Sequence, residues 1–323
     1  MTRQIAGLLL MLIAVCGAIV FGLYRRDLAQ VRVHVREGSG LATTSAGAIE
    51  YAGRGNGPAV LAVHGAGGGY DQGLSIAASF LGQGFKVIAP SRFGYLRTPV
   101  PQDASPAAQA DAHAALLRLL GVDRAVVLGV SAGAPSATQF ALRHPGRVGA
   151  LVLVNPALNA PGQQVQVDRS FGSQVVLRIV MSGADLAWWS AMKVGPRATL
   201  VRFLGVPPEV EAVAPAAERD AVTALIASVL PLSERLAGLQ TDVVGDPEAW
   251  PLEAIRAPTL IVSATDDLFN TLPGARYAAG RIPGARLAVF PTGGHLLVGR
   301  GDEVRRVIAE FLAAAGIGAK SGE

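Results

Sequence analysis

Short apolar runs recur along this chain at intervals too long for hairpins and long enough to hold a helix. Val60 to Val63, Val87 to Ala89, Ala125 to Leu128, Leu151 to Val154, Thr259 to Ser263 and Arg286 to Phe290 are such runs. Helical stretches lie among them. One opens at Ser105-Pro106, a good N-cap and first-turn pair, and stops before Gly121. Others cover Ala134 to Arg143, Ala275 to Arg281 and Glu303 to Ala314. Wholly apolar strands that alternate with helices imply right-handed crossovers and a largely parallel sheet buried on both faces.

The alternation breaks once. From Pro156 to about Ile255 no β-run returns, and the segment is rich in Ala, Leu and Val with Phe171, Trp188, Trp189 and Phe203. A mainly helical block between two stretches of one sheet reads as a lid, with Trp188 and Trp189 as its candidate substrate-binding residues. The expected division is 1–26 as anchor, 27–156 and 256–315 as core, 157–255 as lid and 316–323 as a frayed tail. Within the first core stretch, Val31 to Val35 and Ala48 to Ala52 read as short strands.

Ile5 to Tyr24 carries no charge and is closed by Arg25 and Arg26. At about 1.5 Å per residue, a helix of that length reaches roughly 30 Å, the thickness of the hydrocarbon core. A cleaved signal peptide is disfavoured: the apolar run is too long, and no small-x-small site separates it from Arg25. Arg25, Arg26, Arg32 and Arg36 follow the span and only Arg3 precedes it, which biases the following domain toward the cytoplasm. The lone cysteine, Cys16, lies within the span and excludes a disulfide scaffold or a Cys-rich zinc site. Half the residues are hydrophobic and 16% are charged, so a large core is available. The net charge of +4 is scattered, without interleaved aromatic and basic clusters, which argues against nucleic acid as a partner.

Gly129-Val130-Ser131-Ala132-Gly133 follows one of the strands and precedes a helix. A serine on so sharp a turn is lifted above the sheet edge, at a helix N-terminus that favours developing negative charge. Side chains two residues before and after it would collide, so both positions take glycine. A serine nucleophile needs a base, and the base needs an orienting carboxylate. Of five histidines, His295 stands on a Gly-flexed loop just after a strand and is the candidate. His34 lies too near the anchor, His64 braces the loop after its strand, His113 packs within a helix, and His144 caps one. Asp266 and Asp267 both stand just beyond a strand, one as acid and the other as a turn residue. The order Ser, Asp, His differs from the trypsin and subtilisin orders. For an oxyanion hole, the expected backbone donors are Ala132 and, in His64-Gly65-Ala66-Gly67, Ala66 first and Gly67 second. Phosphate-loop and metal-protease motifs are not matched, so neither cofactor nor metal is expected.

The stretches VLAVHGAGGG, GFKVIAPSRFGYLRTP, VVLGVSAGAPSATQFALRHPGRVGALVLVNPA, APTLIVSATDD and FPTGGHLLVG resemble the blocks of the α/β-hydrolase fold family, in that family's order. The resemblance covers about Ala48 to Leu312. It implies a triad of Ser131, Asp267 and His295, with Ala66 and Ala132 as oxyanion donors. Asp267 is preferred to Asp266 because the family's acid stands three residues after a small residue closing the strand, here Ala264. The family's Asp-x-Arg-Gly-x-Gly-x-Ser stretch appears here as Ser91-Arg92-Phe93-Gly94-Tyr95, a departure. The implied activity is serine hydrolysis of an ester or similar small acyl substrate. C–C bond hydrolysis and cofactor-free perhydrolysis are the alternatives, and a receptor with a slow triad is the alternative of another class.

Overall fold

A computed structural model describes residues 2–318. The chain begins with α1 (Thr2–Glu37), β1 (Gly40–Thr44), β2 (Gly47–Arg54), β3 (Ala59–Val63), α2 (Tyr70–Leu81) and β4 (Lys86–Pro90). It continues through α3 (Pro106–Leu119), β5 (Ala125–Val130), α4 (Ala134–Arg143) and β6 (Val148–Val154). Six helices follow without a strand: α5 (Phe171–Ser182), α6 (Asp185–Val194), α7 (Arg197–Phe203), α8 (Pro208–Ala212), α9 (Ala216–Ser228) and α10 (Leu236–Thr241). The alternation then resumes with β7 (Thr259–Ala264), α11 (Leu272–Arg281), β8 (Arg286–Phe290) and α12 (Gly301–Ala314).

Among the described residues, one 8-stranded sheet has the order β1-β2-β4-β3-β5-β6-β7-β8. β1 and β2 are antiparallel to their neighbours, and every pairing from β4 to β8 is parallel. The central strands are apolar throughout because each face meets its own helical layer. Val127, Leu151, Leu153 and Ile261 pack with Leu116, Phe140 and Ala275. Val126, Leu128, Val152 and Val262 pack with Val304, Ile308 and Phe311. Fully burying one such side chain stabilises by about 1.5–3 kcal/mol, so neither face tolerates polar alternation.

Val31 to Val35 is not a strand. The valines do alternate, but Leu28, Val31 and Val35 also recur at helical spacing, and that stripe is the one buried against the rest of the chain. Helix α1 therefore runs on past Arg26 to Glu37, and exposed His34 lies on it. The strand that precedes β2 is Gly40–Thr44 instead. The first half of α1 is long and apolar enough to cross a membrane, and none of its apolar stretch is buried in the chain. Part of the tail, 319–323, lies outside the described residues.

Five of the six inserted helices, all but α8, share a core, with Trp188, Val201, Val206, Val222 and Ile226, and Leu28 of α1 joins it. Fully buried Arg235 ties this layer to the start of α2 through Asp71, at 2.7 Å.

Candidate active site

Ser131 sits at the sharp exit from β5, with φ of 51°. A non-glycine residue held there costs about 1–3 kcal/mol and persists only where its surroundings enforce it. The two flanking glycines supply that enforcement. A methyl on Gly129 would lie 2.5 Å from Ala137 Cβ, and one on Gly133 would lie 2.5 Å from the carbonyl oxygens of Val63 and His64. The glycines admit α4 and β3, respectively, against the turn; they do not merely avoid each other.

His295 and Asp267 are brought to this serine. His295 Nε2 lies 2.8 Å from Ser131 Oγ, and its Nδ1 lies 2.9 Å from Asp267 Oδ2. Burial alone would raise the Asp267 carboxyl. The His295 charge and hydrogen bonds from His295, Thr271 Oγ1–H and the Phe269 N–H outweigh it and hold the group below the usual carboxylate range. An ionised carboxylate only accepts, so His295 Nδ1 donates to it and the Nε2 lone pair faces the serine hydroxyl. Asp266 points elsewhere. Its two oxygens accept from the N–H groups of Gly293 and Gly294 at 3.1 and 2.8 Å, so it shapes the loop that carries His295.

Three residues that the sequence did not single out hold this arrangement. Buried Asn155, just past β6 at φ 40°, donates Nδ2–H to His295 O at 2.7 Å and accepts from the Ala264 N–H at 3.2 Å. It thereby joins the strand end before the acid to the loop of the base. Thr271 donates to Asp267 Oδ2. Phe269 stacks edge-on against the His295 ring, 4.5 Å between centroids. An Asn-Pro pair after a strand was the only trace of Asn155, and such pairs mark turns far more generally.

The loop expected to supply an oxyanion donor is clamped from beneath. His64 is wholly buried; its Nδ1–H donates to Gly65 O at 2.7 Å and its Nε2 accepts from the Arg92 N–H at 2.9 Å. Burial first, and then the Arg92 charge, push its pKa well below the usual imidazole value, so it is a neutral brace. The departing stretch at Ser91 to Tyr95 completes the clamp. Arg92 donates to Gly65 O at 3.0 Å and to both oxygens of Asp242, at the end of α10, at 2.6 and 3.1 Å. Tyr95 donates to Asp242 and accepts from the Gly67 N–H at 3.3 Å. That contact corrects one expectation: Gly67 already spends its N–H on the Tyr95 hydroxyl, whereas neighbouring Ala66 is exposed and Ala132 is partly exposed.

Trp188 and Trp189 are not offered to a substrate. They are 1% and 7% exposed, and their indole N–H groups donate to Ile226 O and to Asp27 Oδ2 at 3.2 and 3.1 Å. Both pack inside the inserted helices, and Trp189 also meets α1. The insert approaches the serine elsewhere: Gly205 O accepts from the His295 N–H at 3.0 Å, and the Val229 side chain faces Gly67.

A family model described as alpha/beta hydrolase fold matches residues 58–182. The chain is 31% identical over 219 residues to the putative carbamate hydrolase RutD of Klebsiella pneumoniae, spanning 67% of this chain and 76% of that one. It is 25% identical over 284 residues to 2-hydroxy-6-oxo-6-phenylhexa-2,4-dienoate hydrolase of Burkholderia cepacia, spanning 80% and 89%. An alpha/beta hydrolase fold protein from Nakamurella multipartita superposes with a TM-score of 0.67 at 30% identity, over 86% of this chain and 99% of that one. This chain belongs to the α/β-hydrolase fold family. It is an enzyme of the hydrolase class.

Proposed function

We propose that this protein is a membrane-anchored serine hydrolase that cleaves a carboxylic ester or related acyl bond through an acyl-enzyme on Ser131. The observation that carries the reading is the unbroken relay from Asp267 through His295 to Ser131, at 2.9 and 2.8 Å. His295 Nε2 takes the hydroxyl proton as Oγ attacks the carbonyl carbon. The resulting oxyanion accepts from the Ala66 and Ala132 N–H groups, each such donor contributing about 10²–10³-fold in kcat. The imidazolium returns its proton to the leaving alcohol. Water, deprotonated by the same nitrogen, then releases the acid. Asp267 keeps the imidazole in the tautomer with a free Nε2 and stabilises its charged form.

The helices within 157–255 serve as the lid, since Gly205 and Val229 stand over the base and over the donor loop. On this reading the uncharged half of α1 is retained as a single-pass anchor, and the excess of arginines after it favours a cytoplasmic catalytic domain. A carboxyl-terminal phosphatase fusion that is active only after export should stay dark; a bright fusion would put the domain outside.

The test of the chemistry is a panel of p-nitrophenyl esters of graded length beside a vinylogous diketone. A burst of p-nitrophenol followed by slower turnover supports the acyl-enzyme. Turnover of the diketone with no ester cleavage would favour C–C hydrolysis; the Burkholderia relative is a hydrolase of a compound of that kind, a hydroxy-oxo-dienoate.

A further inference from the structure

Helix α1 serves as a ruler against which the inserted helices can be placed. Tyr24 closes its uncharged stretch and Arg25 follows, so, on the reading of α1 as a retained anchor, this turn marks the bilayer–water boundary. Helix α6 runs alongside α1 in the opposite direction. Near its start, Asp185 Oδ2 lies 3.3 Å from Arg32 Nη2. One turn on, Trp189 donates to Asp27 Oδ2 at 3.1 Å, and its ring stands 5.9 Å from that of Tyr24. One turn further, Lys193 Nζ lies 3.8 Å from the same Asp27 carboxylate. Along α6 the contacts thus move from Arg32 to Asp27 and Tyr24, toward the boundary, and Val194 is the helix's last residue.

Val194 is 85% exposed. Two more apolar side chains exposed to the same extent stand on segments that contact the start of α7. Phe171, 85% exposed, adjoins Gly172, where a methyl would lie 2.8 Å from Thr199 Cγ2. Val213, also 85% exposed, stands two residues beyond Glu211, whose carboxylate accepts from Arg197 Nε at 3.0 Å. All three exceed Leu8 and Leu10 of the apolar half of α1, which are 67% exposed. Single exposed apolar residues are ordinary, but a gathered set marks an interaction surface. Lys193 and Arg197, whose side chains are 56% and 44% exposed, stand beside it, each paired with a carboxylate, Asp27 and Glu211.

We propose that this tip, formed by Phe171, Val194 and Val213, is a membrane-docking surface that enters the headgroup layer of the bilayer crossed by α1. The occupant is lipid rather than a protein partner, because the tip continues the level at which α1 leaves the membrane. Docking gives the catalytic domain a second point of attachment and fixes its tilt. The same ruler sets the height of the site. From Tyr24 to Val35 is about 16 Å at about 1.5 Å per residue. Val35 O accepts from Tyr70 Oη–H at 2.7 Å, and Tyr70 directly follows the Gly65–Gly69 loop. The inserted helices fill the gap between that loop and the lipid.

The test uses the full chain carrying Cys16→Ser, reconstituted in nanodiscs of phosphatidylcholine and phosphatidylglycerol. A bimane label is placed singly at Phe171→Cys, Val194→Cys or Val213→Cys, with Leu119→Cys, at the end of α3, as the water-exposed reference. Labelling of Ser131 by a fluorophosphonate certifies that each variant is folded. Docking predicts several-fold stronger quenching by doxyl lipids, and weaker quenching by iodide, at the tip positions than at position 119. Tip labels that match position 119, in a chain that resists carbonate extraction, overturn the docking surface and leave the anchor standing. Release of the chain by carbonate overturns the anchor, and the docking surface with it.

Discussion

Replacing Asp267 by Asn keeps the size of the side chain and removes its charge. In the wild type, Oδ2 accepts from His295 Nδ1–H and Thr271, while Oδ1 accepts from the Phe269 N–H at 2.8 Å. An amide has one acceptor oxygen for these three donors. With that oxygen on the Phe269 N–H, the NH₂ faces His295 Nδ1, which must then accept and carry its proton on Nε2. The proton would point at Ser131 Oγ, and the base would be lost. The expected fall in kcat is about 10⁴-fold, or about 5 kcal/mol of transition-state stabilisation. Asp266→Asn is the internal control. It forfeits one of two acceptors for the Gly293 and Gly294 N–H groups, a cost of about 1 kcal/mol, and leaves the relay intact. Both variants are assayed by ester burst kinetics, with circular dichroism to confirm folding. A larger loss in Asp266→Asn than in Asp267→Asn would refute the assignment of the acid.

Asp242→Asn should weaken the clamp under the donor loop and lower kcat by about 10–10²-fold with a smaller change in KM, as displacement of a preorganised group does; unchanged kcat would make the clamp merely structural. His113 is fully buried with both ring nitrogens unpartnered, and burial first, then the Arg92 charge, lower its pKa to about 3. A depressed pKa means that its contribution to stability is whole above the unfolded value of about 6.5 and is lost as pH falls toward the folded one, about 2 kcal/mol by pH 5. His113→Phe should therefore lose less stability than the wild type between pH 7.5 and pH 5 in urea titrations, flattening the acid limb by about that 2 kcal/mol; an equally steep limb would refute it. Trp189→Phe should cost about 1 kcal/mol of stability through the lost hydrogen bond to Asp27 and leave kcat unchanged. A selective loss on long-chain esters would instead put Trp189 in the substrate path.

The parallel sheet was legible because its strands are apolar on both faces, a pattern that little else produces. Ser131 and His295 were legible because the elbow and the Gly-flexed loop each leave a local signature. Asp266 and Asp267 occupy adjacent positions with the same chemistry, and only the direction of each side chain separates acid from turn. Asp242 left no signal at all: its partner Arg92 is 150 residues away, and a solvated loop aspartate reads the same. Val31 to Val35 misled because its valines satisfy a period of two, while the helical stripe through Leu28, Val31 and Val35 acquires meaning only once the inserted helices and α2 pack on it. Trp188 and Trp189 misled for a related reason. An insert of this size needs a core of its own, and its largest aromatics fill that core before any cleft.

The most direct test is intact-protein mass spectrometry of the chain quenched in acid during turnover of a p-nitrophenyl ester, followed by peptide mapping. The account predicts a single acyl adduct on the peptide containing Ser131, lost on chase with buffer and never formed in Ser131→Ala. An adduct on another residue, or ester turnover that persists in Ser131→Ala, would contradict it.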